Sequence, residues 1–218
     1  MKKIVFCLIA VGIFSFNSFA QFSQGSVSVG GAFNLWFQNP KTEYANQTVD
    51  GPKTTHFTLL PSVEYFLTEN VSLGLGIGYD VTRSKSADLP NNVVEQINKT
   101  GTFFFDPYAR MYFKVGDKFS FFGQGEISLG FGGITDETKY TNNTSVSTKN
   151  SFSTVLVGIR PGISFLVSEK VALETSFGFL GYQGTSQENG ANQKNKSSNY
   201  GLMLNSSTLN FGIRFFIK

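Results

Sequence analysis

The residues that could do chemistry are few and widely spaced. His56 is the only histidine of the 218-residue chain, and a histidine beside a hydroxyl and an acid would suit hydrolytic chemistry. No serine and acid lie beside it at a spacing we can defend, so we interpret His56 as a residue at a loop edge. Asp106 and Glu126 are a candidate acid pair, but glycosidase pairs require an open, substrate-sized cleft. We favour structural ion pairing for both.

A short glycine run, Gly74-x-Gly76-x-Gly78, resembles part of a phosphate-binding loop. Such a loop joins a strand to a helix, whereas these glycines line one face of a single predicted strand and indicate close packing. No cluster of histidine, cysteine and carboxylate has the spacing of metal ligands. We therefore expect no catalytic, cofactor-binding or metal-binding residues, and no enzymatic activity.

The elements that carry these residues are predicted strands with a strict two-residue alternation. Such alternation is typical of a strand with one apolar and one polar face. The sequence predicts eight of them, with the apolar face on odd numbers throughout, over about 26–37, 57–67, 71–81, 103–115, 119–133, 155–165, 171–179 and 209–217. Polar segments at about 38–55, 84–101, 134–151 and 184–199 are predicted as long loops.

Three short turns fix the register between neighbouring strands. A three-residue hairpin loop keeps the apolar parity, whereas a two-residue loop would break it. Loops at 68–70, 116–118 and 168–170 would pair Leu67 with Val71, Val115 with Phe119 and Val167 with Val171. The first pairing places Glu64 opposite Gly74. The last places Glu174 opposite Ser164 and Arg160 opposite Gly178. Short turns alternating with long connections describe an up-and-down antiparallel barrel.

Side-chain volume decides which face of the barrel points inward. An eight-stranded barrel is only wide enough to be filled by side chains, and the bulky odd face, rich in the chain's 24 phenylalanines, does not fit there. The odd face must therefore point outward into lipid. The even face carries charges that we expect to form linked ion pairs with ordered water in the lumen. They are Glu64, Asp80, Asp106, Arg110, Lys114, Glu126, Arg160, Glu174 and Arg214.

Two features fit the predicted barrel poorly. Pro61, Pro107 and Pro161 lie inside strands, where each removes a donor from the ladder, and a local bulge would accommodate each. In the last strand, Asn205 and Ser207 would face lipid if the odd parity continued. We therefore expect a register slip above Leu209.

The first twenty residues have the form of a signal peptide. Lys2 and Lys3 precede an apolar run from Ile4 to Phe16, and Ser18-Phe19-Ala20 suits signal-peptidase cleavage before Gln21. The run is shorter than the ~20 residues that span a bilayer as a helix. Residues 1–20 are thus predicted to be removed, and residues 21–218 to form the barrel domain. The formal charge of +3 then falls to about +1, which gives no reason to expect a nucleic-acid partner.

A signal peptide, eight alternating strands and a C-terminal aromatic strand together resemble the small outer-membrane β-barrel family of OmpX/OmpA-like, porin-type proteins. The resemblance implies an eight-stranded antiparallel transmembrane barrel in the outer membrane of a Gram-negative cell, reached through the periplasm. It implies a monomer in contact with outer-membrane lipid and lipopolysaccharide. It also implies that periplasmic chaperones and the insertion machinery handle the chain, the latter reading the last strand through Phe211, Ile213, Phe215 and Phe216.

Function is less constrained than fold. We expect a structural or surface-interaction role, in which four external loops contact lipopolysaccharide, other cells or host molecules. A narrow passive pore is one alternative. A lipid-modifying outer-membrane enzyme that uses His56 is another.

Overall fold

The computed structural model of the chain describes residues 22–44, 47–89, 92–189, 193–204 and 208–217. The predicted signal peptide, residues 1–20, lies outside the described residues and stays a prediction. Among the described residues, no helix has the length and apolarity needed to cross a bilayer.

Twelve strands make up the described fold. They are β1 (Val27–Gln38), β2 (Lys41–Tyr44), β3 (Gln47–Asp50), β4 (Lys53–Phe66), β5 (Val71–Leu89), β6 (Val93–Lys114), β7 (Phe119–Tyr140), β8 (Ser145–Ser168), β9 (Val171–Ser176), β10 (Phe179–Asn189), β11 (Gln193–Met203) and β12 (Asn210–Ile217).

The strands close into a ring. In order around the wall, β1, β4, β5, β6, β7, β8, β9 and β12 pair with one another, and β12 pairs with β1 from Val27↔Ile217 to Phe33↔Phe211. All these pairings are antiparallel. β10 continues the position of β9 beside β8, and β11 pairs with β10. The predicted eight-stranded up-and-down barrel is confirmed.

The outer surface of the ring is apolar. Odd-numbered side chains such as Phe33, Leu73, Phe121 and Ile159 are exposed, whereas even-numbered neighbours point into the lumen. A continuous exposed apolar belt is untenable in water but is what a bilayer requires of a spanning barrel. The closed ladder also pairs the backbone groups that lipid cannot hydrate.

The odd parity breaks once in the wall, opposite Pro161. β8 pairs with β9 in the register Gly162↔Ser176 but with β10 in the register Ile159↔Leu180. One extra residue therefore lies on the β9–β10 side. Proline has no N–H to offer the facing strand, which explains why the ladder is interrupted at this point.

The interruption reverses the faces of β10. Gly178 adopts a φ of +81°, which favours glycine. After it, Phe179 is 2% exposed and points into the lumen, while Leu180 is 53% exposed on the outside. The prediction that Phe179 faces outward is wrong, and Arg160, which was predicted to lie opposite Gly178, falls at the interruption between the two registers.

The other two prolines are accommodated without a bulge. Leu59 faces Tyr79 and Ser62 faces Gly76, so the β4–β5 register is the same on both sides of Pro61. Pro107 sits in an equally continuous β6–β7 register. The bulges expected at Pro61 and Pro107 are therefore wrong, while the irregularity at Pro161 lies in the strand that faces it.

The last barrel position is split between β11 and β12, with a break between Met203 and Asn210. Met203 lines the lumen and Phe211 faces outward, so the odd parity lost at Gly178 is restored across this break. Asn205 and Ser207, where a register slip was expected, lie outside the described residues.

The short turns behave largely as predicted. Glu64 faces Gly74 and Ser164 faces Glu174, and Leu67 N–H donates to the Val71 carbonyl at 2.9 Å. At the third turn a bulge places Ser168, rather than Val167, opposite Val171. We call this end of the barrel the short-turn end.

The predicted long loops are largely strands, which corrects the sequence-based assignment. β5 and β6 stay paired out to Leu89↔Val93, β7 and β8 out to Lys139↔Ser145, and β10 and β11 out to Asn189↔Gln193. A small β2–β3 hairpin fills part of the first connection. We call the paired extensions above the apolar belt the ribbons, and this end of the barrel the ribbon end.

Candidate functional site in the barrel lumen

Four charged side chains, each at most 10% exposed, occupy the lumen on the short-turn side. They are Glu64 of β4, Arg110 of β6, Glu174 of β9 and Arg214 of β12, and we call them the charge cluster. Each comes from a different strand, because alternation delivers one even-numbered side chain per strand to each layer of the interior. With two acids and two arginines, the cluster is neutral.

The geometry of the charge cluster satisfies both carboxylates. Arg214 Nη1 lies 2.8 Å from Glu64 Oε2, and its Nε lies 2.9 Å from Glu174 Oε1. Arg110 Nη1 approaches Glu174 Oε2 at 2.9 Å. Tyr112 OH donates to Glu64 at 2.9 Å, and Ser72 Oγ also donates to it. Buried charges persist only when they are paired and hydrogen-bonded in this way.

An aromatic layer closes the lumen beyond the charge cluster. We call it the aromatic plug; it consists of Phe22, Phe66, Tyr112, Phe122, Leu166, Ala172 and Phe216. Phe22, from the segment before β1, stacks on Phe66 at 5.0 Å and contacts Tyr112 at 4.5 Å between ring centroids. The plug and the charge cluster together fill the short-turn half of the barrel.

A chain of polar contacts leads from the charge cluster towards the ribbon end. Arg110 Nε donates to Gln124 Oε1 at 2.6 Å, and Gln124 Nε2 donates to Glu126 Oε2 at 2.6 Å. Arg160 Nη2 then donates to Glu126 Oε1 at 2.8 Å. Asp106 and Glu126, the candidate acid pair, do lie in the same part of the lumen, but Glu126 forms an ion pair with Arg160.

An open cavity of about 360 Å³ lies above this chain of contacts. We call it the outer cavity. Its apolar lining includes Leu60, Phe104, Leu156, Phe179 and Met203. Its polar lining reaches His56 and Gln183 on the ribbon side. A volume of this size falls in the range of small-molecule sites.

Asp106 is the least satisfied charged side chain of this lining. It projects from β6, opposite Gly76 of β5, and is 4% exposed. Its Oδ1 has no hydrogen-bond partner among the described residues. Asp106 was predicted to belong to an ion-pair network, but no cation of the described chain lies within ion-pair distance of its carboxylate.

His56 does have an acid and hydroxyls beside it, contrary to our expectation. Its Nε2 lies 3.2 Å from Asp80 Oδ2 and 3.1 Å from Thr58 Oγ1, while Nδ1 lies 2.9 Å from Thr82 Oγ1. The β4–β5 register that places Thr58 opposite Asp80 and His56 opposite Thr82 follows from the Leu67–Val71 turn. Extending that register from the turn would have found the group from sequence.

This histidine group lacks the order of a hydrolytic triad. In a triad, the acid holds Nδ1 of the ring and the nucleophile faces Nε2. Here the order is reversed, since Asp80 lies on Nε2 and the Thr82 hydroxyl lies on Nδ1. Thr58 also contacts Nε2 and donates from Oγ1 to Asp80 at 2.6 Å. The geometry fits a hydrogen-bonded lining of the outer cavity. Among the described residues, no group of three or more histidine, cysteine or acidic side chains is arranged to hold a metal ion.

The residues of the predicted insertion signal divide between the two faces of β12. Phe211, Ile213 and Phe215 are exposed on the outer belt, whereas Phe216 is buried in the aromatic plug. Lys114, also expected in the lumen, lies near the short-turn end, 3.8 Å from Glu69.

Comparisons with known proteins return solved structures only. No protein-family model matches the chain, and no curated protein matches it. The chain is similar to Neisserial surface protein A (16% identity, 88% of this chain and 97% of that one, TM-score 0.41). It is also similar to OprG from Pseudomonas aeruginosa (11% identity, 91% of this chain and 99% of that one, TM-score 0.44) and to Ail from Yersinia pestis (11% identity, 89% and 99%, TM-score 0.32). Values this low say nothing about function.

The fold is instead established by this chain's own geometry. The wall closes through β1 and β12, the outside is an apolar belt, and the inside holds a neutral charge cluster over an aromatic plug. These features together are those of a barrel that crosses a membrane through strands. The chain is an eight-stranded β-barrel of the outer-membrane type, located in the outer membrane.

Proposed function

We propose that the protein is a surface-interaction barrel, whose ribbons contact lipopolysaccharide, other cells or host molecules. The observation that carries the proposal is the length of β5 to β8, which run for 19 to 24 residues. A strand of 22 residues extends about 70 Å, and even when tilted it rises far beyond a hydrocarbon layer about 30 Å thick. A rigid paired surface is thereby held outside the membrane.

The β10–β11 ribbon is the strongest candidate contact surface. Every residue of β11 is exposed, and Tyr200 is 87% exposed. Tyrosine is enriched in protein interfaces because it offers a large apolar ring with a polar tip. Lys196 on the same strand adds positive charge suited to anionic partners, whereas Lys194 is paired with Glu188 across the ribbon.

A ribbon-deletion variant tests this proposal. Residues 184–198 would be replaced by a short turn in a chain that also carries Tyr200→Ser, and replacement of residues 41–50 by a short turn serves as the matched control. Cells that display each variant would be compared for binding to lipopolysaccharide-coated and host-cell surfaces. We expect the first deletion to abolish binding and the control to retain it. Retained binding in both variants, with the barrel still heat-modifiable on a gel, would overturn the proposal.

We also propose that the barrel neither conducts nor catalyses. The filled short-turn half supports the first statement, because the aromatic plug and charge cluster occupy the cross-section. The second is supported by the position of Asp80 on Nε2 of His56, the nitrogen that faces the nucleophile in a hydrolytic triad. Steady conductance steps in planar bilayers, or a lipid modification lost in His56→Ala, would overturn the respective statement.

Handling of the chain during assembly is a separate part of the proposal. We propose a monomer whose β12 is read by the insertion machinery, after periplasmic chaperones have carried the unfolded chain. The outward row Phe211, Ile213 and Phe215 supports this role, because these side chains are presented at the edge that closes the barrel.

A further inference from the structure

The charges around the outer cavity do not balance. Three acids line it: Asp80, Asp106 and Glu126. Its two arginines are already engaged, since Arg160 binds Glu126 and Arg110 binds Glu174 of the charge cluster. The lining therefore holds acidic groups that no arginine neutralises, one of them beside His56.

Asp106 marks where a ligand cation would bind. Its side chain is more than nine-tenths buried, lines the cavity, and has an Oδ1 without a hydrogen-bond partner among the described residues. A buried acceptor left unpaired is costly, so a donor brought by a ligand would be strongly favoured. A cationic donor would gain most, because charge-assisted hydrogen bonds are about twice as strong as neutral ones.

The rest of the lining describes the remainder of that ligand. Leu60, Phe104, Leu156 and Phe179 give the cavity an apolar wall beside the acid. The aromatic plug closes the short-turn side, so a ligand would enter from the ribbon side. An anionic ligand would be repelled by the carboxylates of Asp106 and Glu126. A fully polar ligand would make no favourable contact with the apolar wall.

We propose that the outer cavity is a binding site for a small organic amine. Its ammonium group would donate to the Asp106 carboxylate, with the side chain rotating so that Oδ1 meets the ligand, and its apolar or aromatic body would pack against Leu60, Phe104 and Phe179. A ligand of one ring and a short aminoalkyl arm matches the volume of about 360 Å³. The site is independent of the surface role proposed for the ribbons.

Calorimetric titration of the full barrel in detergent micelles tests the site, with benzylammonium as the probe. Benzyl alcohol and benzoate are comparators of equal size that lack the positive charge. Trp36, the only tryptophan of the chain, faces His56 across β1 and β4 and supplies a second, fluorescence readout. We expect benzylammonium to bind at least about tenfold more tightly than either comparator. Equal binding of all three, or none by benzylammonium, would overturn the proposal.

Paired variants locate the site. Asp106→Asn keeps the size of the side chain but removes its charge, and should weaken benzylammonium binding at least about tenfold. Asp136→Asn, in the β7–β8 ribbon, removes a charge outside the cavity and should leave binding unchanged. Leu156→Trp fills the cavity without touching an acid and should abolish binding. It serves as the test if Asp106→Asn fails to fold. Undiminished benzylammonium binding in a folded Asp106→Asn or Leu156→Trp barrel would overturn the proposal. A loss of affinity in Asp136→Asn as large as that in Asp106→Asn would overturn it too.

Discussion

The two halves of the lumen are built from the same kinds of residue but to different ends. On the short-turn side, two acids and two arginines satisfy one another above an aromatic plug, and the interior is full. On the ribbon side, acids outnumber the arginines available to them and surround an open cavity of about 360 Å³. Side chains from the same eight strands line both halves.

The difference indicates that the short-turn half stabilises the barrel, whereas the ribbon half leaves groups available to bind a ligand. A fully satisfied buried network holds several strands in one arrangement but leaves nothing for a ligand. Unsatisfied groups lower stability and are kept where they serve another purpose. We therefore expect substitutions to cost more stability in the short-turn half than in the ribbon half.

The largest expected effect is that of Arg214→Leu. The arginine side chain is 2% exposed and bridges Glu64 and Glu174, so its removal leaves buried carboxylates without their main partner. Breaking a buried pair in this way costs about 3–5 kcal/mol. Urea unfolding in lipid vesicles measures the loss. Arg83→Leu, on an exposed side chain of β5, is the matched control and should change little. An unchanged midpoint in Arg214→Leu would contradict the role of the charge cluster.

Arg160→Leu should also destabilise the barrel, but less. Its side chain is 17% exposed beside the outer cavity, and Glu126 keeps the hydrogen bond from Gln124. Losing a hydrogen bond to a charged group costs about 1.5–3 kcal/mol. The same unfolding assay applies. If the free energy of unfolding fell as much as in Arg214→Leu, the distinction between the two halves would be contradicted. If it did not fall, the ion pair of Arg160 with Glu126 would contribute no stability.

Gly74→Ala tests how tightly the short-turn half is packed. A Cβ at Gly74 would lie 2.1 Å from the Tyr108 ring, which reaches over this glycine towards Glu64. Overpacking of this kind costs about 1–3 kcal/mol. Gly123→Ala is the matched control, because a Cβ there meets nothing within 4 Å. Equal stability of the two variants would show that the interior has room to spare.

The smallest expected effect is a pH dependence of the β5–β6 ribbon. Lys85 Nζ lies 2.8 Å from Glu95, and this hydrogen bond lowers the pKa of the Glu95 carboxyl. The stabilisation is therefore present above the ordinary glutamate pKa of about 4.3 and is lost as the pH falls through the lowered value. Amide exchange near Lys85, corrected for its intrinsic rate, should speed up in acid. Glu95→Gln should remove this dependence, and an identical profile in the variant would contradict it.

The sequence predicted the barrel well because its strongest signals are geometric. Alternation separated the two faces of each strand, side-chain volume assigned the apolar face to the outside, and the turn at 68–70 correctly placed Glu64 opposite Gly74. The ribbons were missed because both of their faces are solvated, so they lack the apolar alternation by which strands are recognised.

The site was harder to predict than the fold. The reversal at Gly178 could not be read from periodicity, since it depends on the missing donor of Pro161 in the neighbouring strand. The contact of His56 with Asp80 could have been predicted from the sequence, because it required only the strand register already derived from the turn at 68–70. The cavity beside Asp106 depends on how side chains from several strands fill the lumen, and alternation does not specify that.

The difference between the two halves can be measured directly with single cysteines. Ser128 lines the outer cavity and is 9% exposed, whereas Ser164 lies in the short-turn half opposite Glu174 and is 1% exposed. The only native cysteine, Cys7, lies in the predicted signal peptide, so each substitution introduces a unique thiol. A charged, membrane-impermeant thiol reagent added to intact cells should modify Ser128→Cys readily and leave Ser164→Cys unmodified. Equal modification of the two cysteines would contradict a lumen that is open on one side and sealed on the other.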